Sequence, residues 1–363
     1  EVTMYMKKIT IPTQIRIASL IYICLCPIIF DYAIAAIKDT LGAILILIYN
    51  IFLLQLIRNN KSIIKNKISI TTLIITILLI LMIKSNSLFI IITSYSSLLI
   101  YYLYIKEYKK LKKLTFILIL PLTLFFIYDK IILESLDVTG TNKKEGYSIP
   151  FMQIARLANR NDKAISPNDK KIINDVLNYK GIKKNYNPKL SDSVKNTYKK
   201  DVTDEQLNRF WKIYFKYMKK YPKLYIASII NSTYGYYFPE EGEKRGIEYA
   251  DGRLNNDFFK ISNKEEYKDY IKIKLKICEI FTLIPFFSFF NHVAYYIYFL
   301  IFSIIYIIRK KQYKYIVPIT SLISILLSSL ISPVNGSFRY ILAIVFCIPL
   351  IFSIDFIVKL EKK

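Results

Sequence analysis

Hydrophobic and polar positions occur along this chain in long blocks. Eight stretches approach the roughly 20 apolar residues that a membrane-spanning helix needs, and flanking lysines and arginines can complete the crossing. These stretches are 12–30, 40–57, 68–84, 87–105, 114–130, 293–308, 315–331 and 340–358. The pattern predicts an all-α protein built on a polytopic transmembrane helical bundle of about eight spans.

The segment 131–275 has a different character, because the long apolar stretches stop there and signals for amphipathic helices replace them. Ser166 is a predicted helix cap, followed by Pro167 at the first helical position. Thr203 and Gln206 form a predicted capping box that opens a long helix. Since strand-like alternation is scarcely visible, we expect a mainly helical domain.

Further breaks refine this expectation. Pro222 should end the helix that Thr203 opens, and a second helix is expected from Lys223 to near Gly235. The stretch 181–192 is predicted to be irregular. The apolar residues 276–291 are interrupted by Pro285, and we expect a helix lying in the membrane interface there.

Basic residues gather in short runs between the apolar stretches, at 58–67, 106–113, 309–314 and 359–363. If eight spans alternate in direction, all four runs fall on one side of the membrane, which the positive-inside rule identifies as the cytoplasm. The protein is therefore expected to be a multi-pass plasma-membrane protein with both termini cytoplasmic.

Three regions follow from this topology. Residues 1–130 hold transmembrane helices one to five, and residues 131–275 form an extracytoplasmic, mainly helical domain. Residues 276–363 hold the interfacial helix and transmembrane helices six to eight.

Composition removes several classes of function. Lys and Arg number 52 against 27 Asp and Glu, a formal charge of +25, yet no basic stretch is interleaved with a nucleic-acid-binding motif, so no nucleic-acid partner is expected. The cysteines form no CxxC pair, which leaves a zinc site or a disulfide framework unsupported. Histidine occurs once, at His292, which excludes a histidine-based triad or a multi-histidine metal site.

Few ionisable residues lie at the predicted outer edge of the membrane, and each is a functional candidate because charge is costly there. Asp31, Lys38 and Asp39 lie in one connection, and Arg339 lies in the connection SPVNGSFR. A carboxylate of Asp31 or Asp39 could act as a general base or hold a divalent cation such as Mg²⁺ or Mn²⁺. Lys38 or Arg339 could neutralise a phosphate leaving group. Alternatively, these residues only mark the ends of spans.

The outer domain offers a second set of candidates. Gln153 and Arg156 lie three residues apart on one face of a predicted helix, next to apolar neighbours. They could face a ligand, or the helix could simply lie over the membrane edge. Trp211 begins an aromatic stripe at helical spacing, which is typical of a domain core and less often of a sugar-stacking platform.

Taken together, five motifs resemble a family of largely uncharacterised membrane proteins of Gram-positive bacteria that is itself similar to GT-C-type glycosyltransferases. The motifs, in order, are KDTLG, SIPFMQIARL, YNPKLSDSVKN, YPKLYIASIINSTYGYYFP and SPVNGSFRYILAIVFCIPL. The resemblance implies transfer of a sugar from a polyprenyl-phosphate carrier to an acceptor outside the membrane. In such enzymes the principal catalytic acid follows the first span and a second acidic motif opens a later one. KDTLG looks like the second motif, which implies that further spans precede residue 1.

The resemblance makes a polyprenyl-phosphate-linked sugar donor, a glycan or lipid acceptor and membrane lipids the expected partners. It also implies that Arg339 meets the carrier phosphate. Two alternatives remain open: a non-enzymatic protein of polysaccharide or envelope assembly or export, and a surface-polysaccharide polymerase or ligase. An ion-coupled transporter is disfavoured, because the predicted spans are nearly free of charge.

Overall fold

The computed structural model describes most of the chain outside a long stretch before residue 289. The described residues are 6–7, 11–34, 37–58, 64–83, 86–136, 143–239, 269, 272–273, 276, 280, 284, 289–331 and 334–361. The proposed interfacial helix 276–291 therefore lies largely outside the described residues, as do Pro285, Pro333 and Cys278. The chain divides into two compact units.

Unit 1 comprises Glu1–Val138, Glu243–Ser329 and Phe338–Lys363, and unit 2 comprises Thr139–Gly242 and Leu330–Ser337. The short segment 330–337 thus packs with unit 2, whereas the sequence analysis placed it with the C-terminal transmembrane helices.

The first part of unit 1 consists of helices joined by short connections. They are α1 (Thr13–Leu25), α2 (Pro27–Ile34), α3 (Lys38–Arg58), α4 (Lys67–Ile83), α5 (Ser87–Tyr104) and α6 (Tyr108–Ile127), the last prolonged by a π-helical turn (Tyr128–Ile132) and Leu133–Ser135. A bend of 57° separates α1 from α2.

Unit 2 follows with shorter helices. They are α7 (Ser148–Arg160), α8 (Pro167–Val176), α9 (Tyr179–Lys184), α10 (Asp192–Lys195), α11 (Asp204–Lys220) and α12 (Pro222–Thr233), with short 3-10 turns at Lys143–Tyr147, Asp162–Ala164 and Tyr234–Tyr236. Unit 1 then resumes with α13 (Val293–Arg309), a 3-10 helix (Tyr313–Ile319) that runs into α14 (Thr320–Leu330), and α15 (Phe338–Leu360).

The all-α prediction is confirmed for the described residues, where extended backbone pairs only at two isolated bridges. Within those residues, five helices are long and apolar enough to cross a membrane, and the bent pair α1–α2 makes a sixth if it counts as one span. The other two, α4 and α13, have 17 residues each. Every predicted apolar stretch coincides with one of these elements, and the chain has the helices of a membrane protein.

The core of unit 1 forms around α3 and α15. About 67% of the apolar window of α3 and 72% of that of α15 is buried, against 11% for the α6 segment. Exposed apolar side chains on α6, such as Phe116 and Ile119, are what a lipid-facing helix presents. Polar bonds also hold the core: Asn50 on α3 accepts a 2.6 Å hydrogen bond from Ser321 of α14.

Unit 2 has its own apolar core. The side chains of Phe151, Ile154 and Leu157 on α7 are fully buried. They belong to one cluster with Phe210 of α11 and Tyr225 of α12. This is the core that a domain of this size needs to be compact.

The caps of unit 2 confirm the sequence-based signals. The Ser166 side chain accepts a hydrogen bond from the backbone of Asp169, and Thr203 forms both bonds of the capping box with Gln206. The helix after Pro222 ends at Thr233, close to the predicted end. The prediction of an irregular stretch over 181–192 was wrong in its first part, because α9 covers it to Lys184.

Candidate functional site

Two of the sequence-predicted site residues open the two most buried helices of unit 1. Asp39 lies in the first turn of α3, and Arg339 is the second residue of α15. An acidic residue in the first turn is favoured because the helix dipole places partial positive charge there. No such effect favours Arg339, so its position at a helix start needs another stabilising contact.

That contact is Asp39. Arg339 Nε lies 2.7 Å from Asp39 Oδ2, with 9% of the Asp39 side chain and 36% of the Arg339 side chain exposed. A charge-assisted hydrogen bond of this length is stronger than a neutral one. The arginine therefore joins the starts of α3 and α15 and still reaches the protein surface.

Asp31 lies on α2 and is 2% exposed. The hydroxyl of Thr40, which follows Asp39, donates a 2.7 Å hydrogen bond to the carbonyl oxygen of Tyr32, which follows Asp31. This bond holds α2 against the start of α3, so both carboxylates belong to the same end of unit 1. Lys38, at the first position of α3, has an exposed side chain.

An apolar cavity of about 160 Å³ lies in unit 1, lined by aromatic side chains that include Tyr22, Phe290 and Tyr296. The Tyr296 ring makes an edge contact with Phe338, the residue before Arg339. The lining also includes Ile348, nine residues after Arg339 on α15, so the cavity lies along α15 from the helix start that carries the Asp39–Arg339 pair. A dry cavity of about 150 Å³ is enough for a benzene-sized molecule, so this one could hold a five- or six-carbon group.

The candidates in the segment 131–275 make their described contacts within unit 2. Gln153 is 4% exposed. Its amide nitrogen donates to the carbonyl oxygen of Tyr225, and its amide oxygen accepts a 2.6 Å hydrogen bond from the Tyr214 hydroxyl. Arg156 is half-buried and donates to the hydroxyl of Tyr186 at 3.2 Å. Both ends of the Gln153 amide are thus engaged within the core of unit 2.

The segment 334–337 has a role that the sequence analysis did not foresee. Asn335 accepts a 2.8 Å hydrogen bond from the backbone of Gly235, and its own backbone donates to the carbonyl of Lys189. A Cβ atom on Gly336 would lie 2.8 Å from the Gly235 backbone, and Gly336 has a φ of +59°. Asn335 and Gly336 therefore attach this segment to the rest of unit 2. The sequence had indicated only a tight turn here.

Comparison with known proteins gives one match. Residues 2–362 match the model of a family of unknown function (DUF6020). The chain belongs to this family. No curated protein and no solved structure matches it.

A divalent cation would need several oxygen, nitrogen or sulfur donors in one place. Among the residues that the structure describes in this DUF6020 member, no group of three or more His, Cys, Asp or Glu side chains could hold one. The carboxylate of Asp39 is moreover bound to Arg339. The donor set in the described residues thus does not fit a metal site.

One ionisable residue within a predicted span was missed by the sequence analysis. Asp355 lies on α15, where its Oδ1 accepts a 2.6 Å hydrogen bond from Ser303 of α13. A carboxylate inside a long apolar stretch is an unusual residue, and its position could have identified it. Because it lies near the C-terminal end of α15, it is far along the helix from Arg339.

Proposed function

We propose that the chain is a GT-C-like membrane glycosyltransferase that moves a sugar from a polyprenyl-phosphate carrier to a cell-envelope glycan or lipid. The observation that supports it best is the pairing of Asp39 with Arg339 at the start of the two central helices. Such a pair combines a carboxylate that can take a proton with a cation that can bind a phosphate.

We also propose an orientation with eight spans, both termini in the cytoplasm and unit 2 outside. Contacts of basic residues at the helix ends, within unit 1, support this orientation. The Lys113 ammonium donates to the backbone carbonyl of Ile64, and Lys314 pairs with Glu361 at 2.8 Å. Asp39 and Arg339 lie at the other ends of α3 and α15, which the positive-inside rule places outside.

The proposed transfer is a single displacement with inversion. The acceptor hydroxyl oxygen attacks the anomeric carbon, its proton passes to a carboxylate, and the bond from that carbon to the phosphate oxygen breaks. Polyprenyl phosphate leaves with the electron pair of that bond. Stabilising charge as it develops on the leaving phosphate is the usual role of an arginine at such a site.

The ion pair suggests how binding and base activation are linked. Arg339 holds Asp39 in the structure described here, and a carrier phosphate would compete with that carboxylate for the guanidinium. Once Arg339 contacts the phosphate, Asp39 is released to accept a proton. Asp31 is the alternative base on the same end of unit 1, and the exposed Lys38 is placed to add a second positive charge.

The aromatic cavity beside Phe338 supports the lipid character of the donor. It would take one isoprene-sized group of the carrier, further along the lipid chain from the phosphate. The proposed reaction uses neither Gln153 nor Arg156, whose described contacts lie within unit 2, and their role in binding stays a prediction. A dependence on Mg²⁺ or Mn²⁺ stays a separate hypothesis without support from the described donors.

The experiment uses purified protein in lipid and a panel of radiolabelled polyprenyl-phosphate sugars with a cell-envelope extract as acceptor. We expect label to pass to the acceptor with the native chain and not with Asp39→Asn. Binding of the carrier without transfer by the native chain would contradict the enzyme and favour the assembly or export alternative. Added EDTA tests the cation hypothesis in the same assay.

A further inference from the structure

A second and larger cavity lies in unit 1, away from the Asp39–Arg339 pair. Its volume is about 770 Å³, and it lies between the C-terminal part of α5 and the chain from Lys311 to Thr320. Glu361, which directly follows α15, pairs with Lys314 in its wall. Since the 23 residues of α15 span roughly 34 Å, the cavity and Arg339 are at opposite ends of this helix.

The lining of this cavity is amphiphilic. Ile100, Ile316 and Val317 supply an apolar surface, while Tyr104 and Lys311 supply polar groups. Ile100 is 65% exposed and Tyr104 is 84% exposed, so this side of the cavity opens on the surface of the bundle. Its volume lies within the range of about 300–1,000 Å³ of small-molecule sites.

The two lysines that line the cavity, Lys311 and Lys314, differ in whether a carboxylate neutralises their charge. Lys314 is engaged by Glu361, and the Tyr315 hydroxyl donates to the same carboxylate. Although burial opposes ionisation of Glu361, the hydrogen bonds from Lys314 and Tyr315 lower its pKa below the usual value, so it neutralises Lys314. Lys311 has an exposed side chain and makes no ion pair with any of the described residues. One positive charge is thus available at the cavity.

The backbone conformation at the end of α13 also fixes the position of Lys311. It follows α13 with a φ of +56°, and the next residue, Gln312, donates its backbone N–H to the carbonyl of Ile307. This is the pattern of a helix end in which glycine is usual. The turn thus fixes the backbone of Lys311 at the wall of the cavity.

We infer that this cavity binds an anionic phospholipid. The headgroup phosphate would lie on the Lys311 ammonium, with Gln312 and the Tyr104 hydroxyl as further donors, and an acyl chain would follow Ile100 and Ile316. Basic pockets between membrane helices have this affinity for anionic headgroups. The inference needs no step of the proposed sugar transfer, since the site is at the other end of α15.

The test is native mass spectrometry of the delipidated full chain in detergent, titrated with phosphatidylglycerol and with phosphatidylcholine. We expect phosphatidylglycerol to bind more tightly than phosphatidylcholine. Lys311→Gln should weaken phosphatidylglycerol binding about fivefold, as expected for one lysine near an anionic lipid. Lys311→Arg keeps the charge and should bind like the native chain.

Lys106 provides a matched control. It follows α5 with a φ of +59° at the same end of unit 1, and its side chain does not line the cavity. Lys106→Gln should leave the affinity unchanged. Equal weakening by Lys106→Gln and Lys311→Gln, or equal affinity for the two lipids, would overturn the inference. So would binding of glycerol 3-phosphate as tight as that of the lipid, since the ligand would then be a free phosphate ester.

Discussion

Arg339 donates a 2.7 Å hydrogen bond from Nε to Oδ2 of Asp39, although 300 residues separate the two in the sequence. The contact joins the first turns of α3 and α15, the helices around which unit 1 is packed. Because Arg339 remains partly exposed, the same guanidinium can hold the fold together and meet a ligand from outside.

This double role predicts an unusual result for Asp39→Asn. If Arg339 binds a carrier phosphate as proposed, removing the carboxylate removes the group that competes with that phosphate for the guanidinium. We expect undecaprenyl phosphate to bind about fivefold more tightly, since a partly exposed ion pair is worth up to about 1 kcal/mol. Sugar transfer should be lost at the same time. The binding is measured by native mass spectrometry or by equilibrium partition into nanodiscs.

A matched variant controls for general loss of charge. Glu134 is an exposed acid in the segment that prolongs α6, and Glu134→Gln should change neither binding nor transfer. Unchanged carrier binding by Asp39→Asn, with transfer retained, would show that the Asp39–Arg339 pair is structural only.

The close approach of Gly336 to Gly235 predicts that Gly336→Ala disturbs unit 2. The new Cβ would meet backbone atoms at 2.8–2.9 Å, and the positive φ adds strain, so we expect a loss of about 1–3 kcal/mol. Hydrogen exchange at the Gly235 amide, which donates to Asn335, should become faster. Gly146→Ala is the control, because nothing lies within 4 Å of its Cβ position; exchange unchanged in Gly336→Ala would contradict the packing.

Two neighbouring aromatic residues of α11 are expected to differ in how much they stabilise the protein. Phe210 is fully buried, whereas Trp211 packs only partly against the core of unit 2. Phe210→Ala should therefore destabilise the protein by about 3–5 kcal/mol, and Trp211→Ala by clearly less. Thermal unfolding of the two variants in the same detergent compares them directly. A larger loss for Trp211→Ala would place the tryptophan on the buried face instead.

Asp162 predicts how unit 2 responds to acid. Hydrogen bonds from Tyr179, then from Lys170, lower the pKa of its carboxyl to about 2. Because the pKa is lowered in the folded state, the ionised carboxylate of Asp162 stabilises that state at pH values above its ordinary pKa near 4. This contribution is lost as the pH falls through about 2. Asp162→Asn should therefore cost about 1–2 kcal/mol at pH 6 and reduce the loss of stability between pH 4 and 2. Circular dichroism melting follows both effects, with the exposed Asp201→Asn as control; an equal acid response in the two variants would contradict the role of Asp162.

Local signals in the sequence predicted local structure well. Apolar length placed every long apolar helix of the described residues, and the caps at Ser166 and Thr203 placed the starts of α8 and α11, because both signals act within a few residues. The short helix α9 was missed since its residues, YKGIKK, have neither an apolar stripe nor enough length to stand out. The aromatic stripe from Trp211 packs against the core of unit 2, as its spacing indicated, but Trp211 itself is only partly buried because the buried face of α11 also includes Phe210 and Tyr217.

Contacts between distant segments were harder to predict. Charge at the membrane edge identified Asp39 and Arg339 as candidates, but their pairing depends on how α3 packs against α15. The bonds from Asn335 to Gly235 and to Lys189 depend on the fold of unit 2, and a Pro-Asn-Gly sequence indicates only a turn. The sequence left open that Gln153 faces a ligand, whereas the structure shows its amide bonded to Tyr214 and Tyr225.

The most direct test of the proposed function is the affinity of undecaprenyl phosphate for Arg339 variants in nanodiscs. If Arg339 binds the phosphate through its planar guanidinium, Arg339→Lys should weaken binding about ten- to a hundred-and-fifty-fold, the effect of losing a charge-assisted contact of roughly 1.5–3 kcal/mol. The exchange Asp39→Arg with Arg339→Asp, which restores the ion pair in reverse, should recover thermal stability without recovering affinity. Lys130→Gln, an exposed lysine on the prolonged α6, should bind like the native chain. Native affinity in Arg339→Lys and in the exchanged pair would contradict a role for Arg339 in binding the carrier.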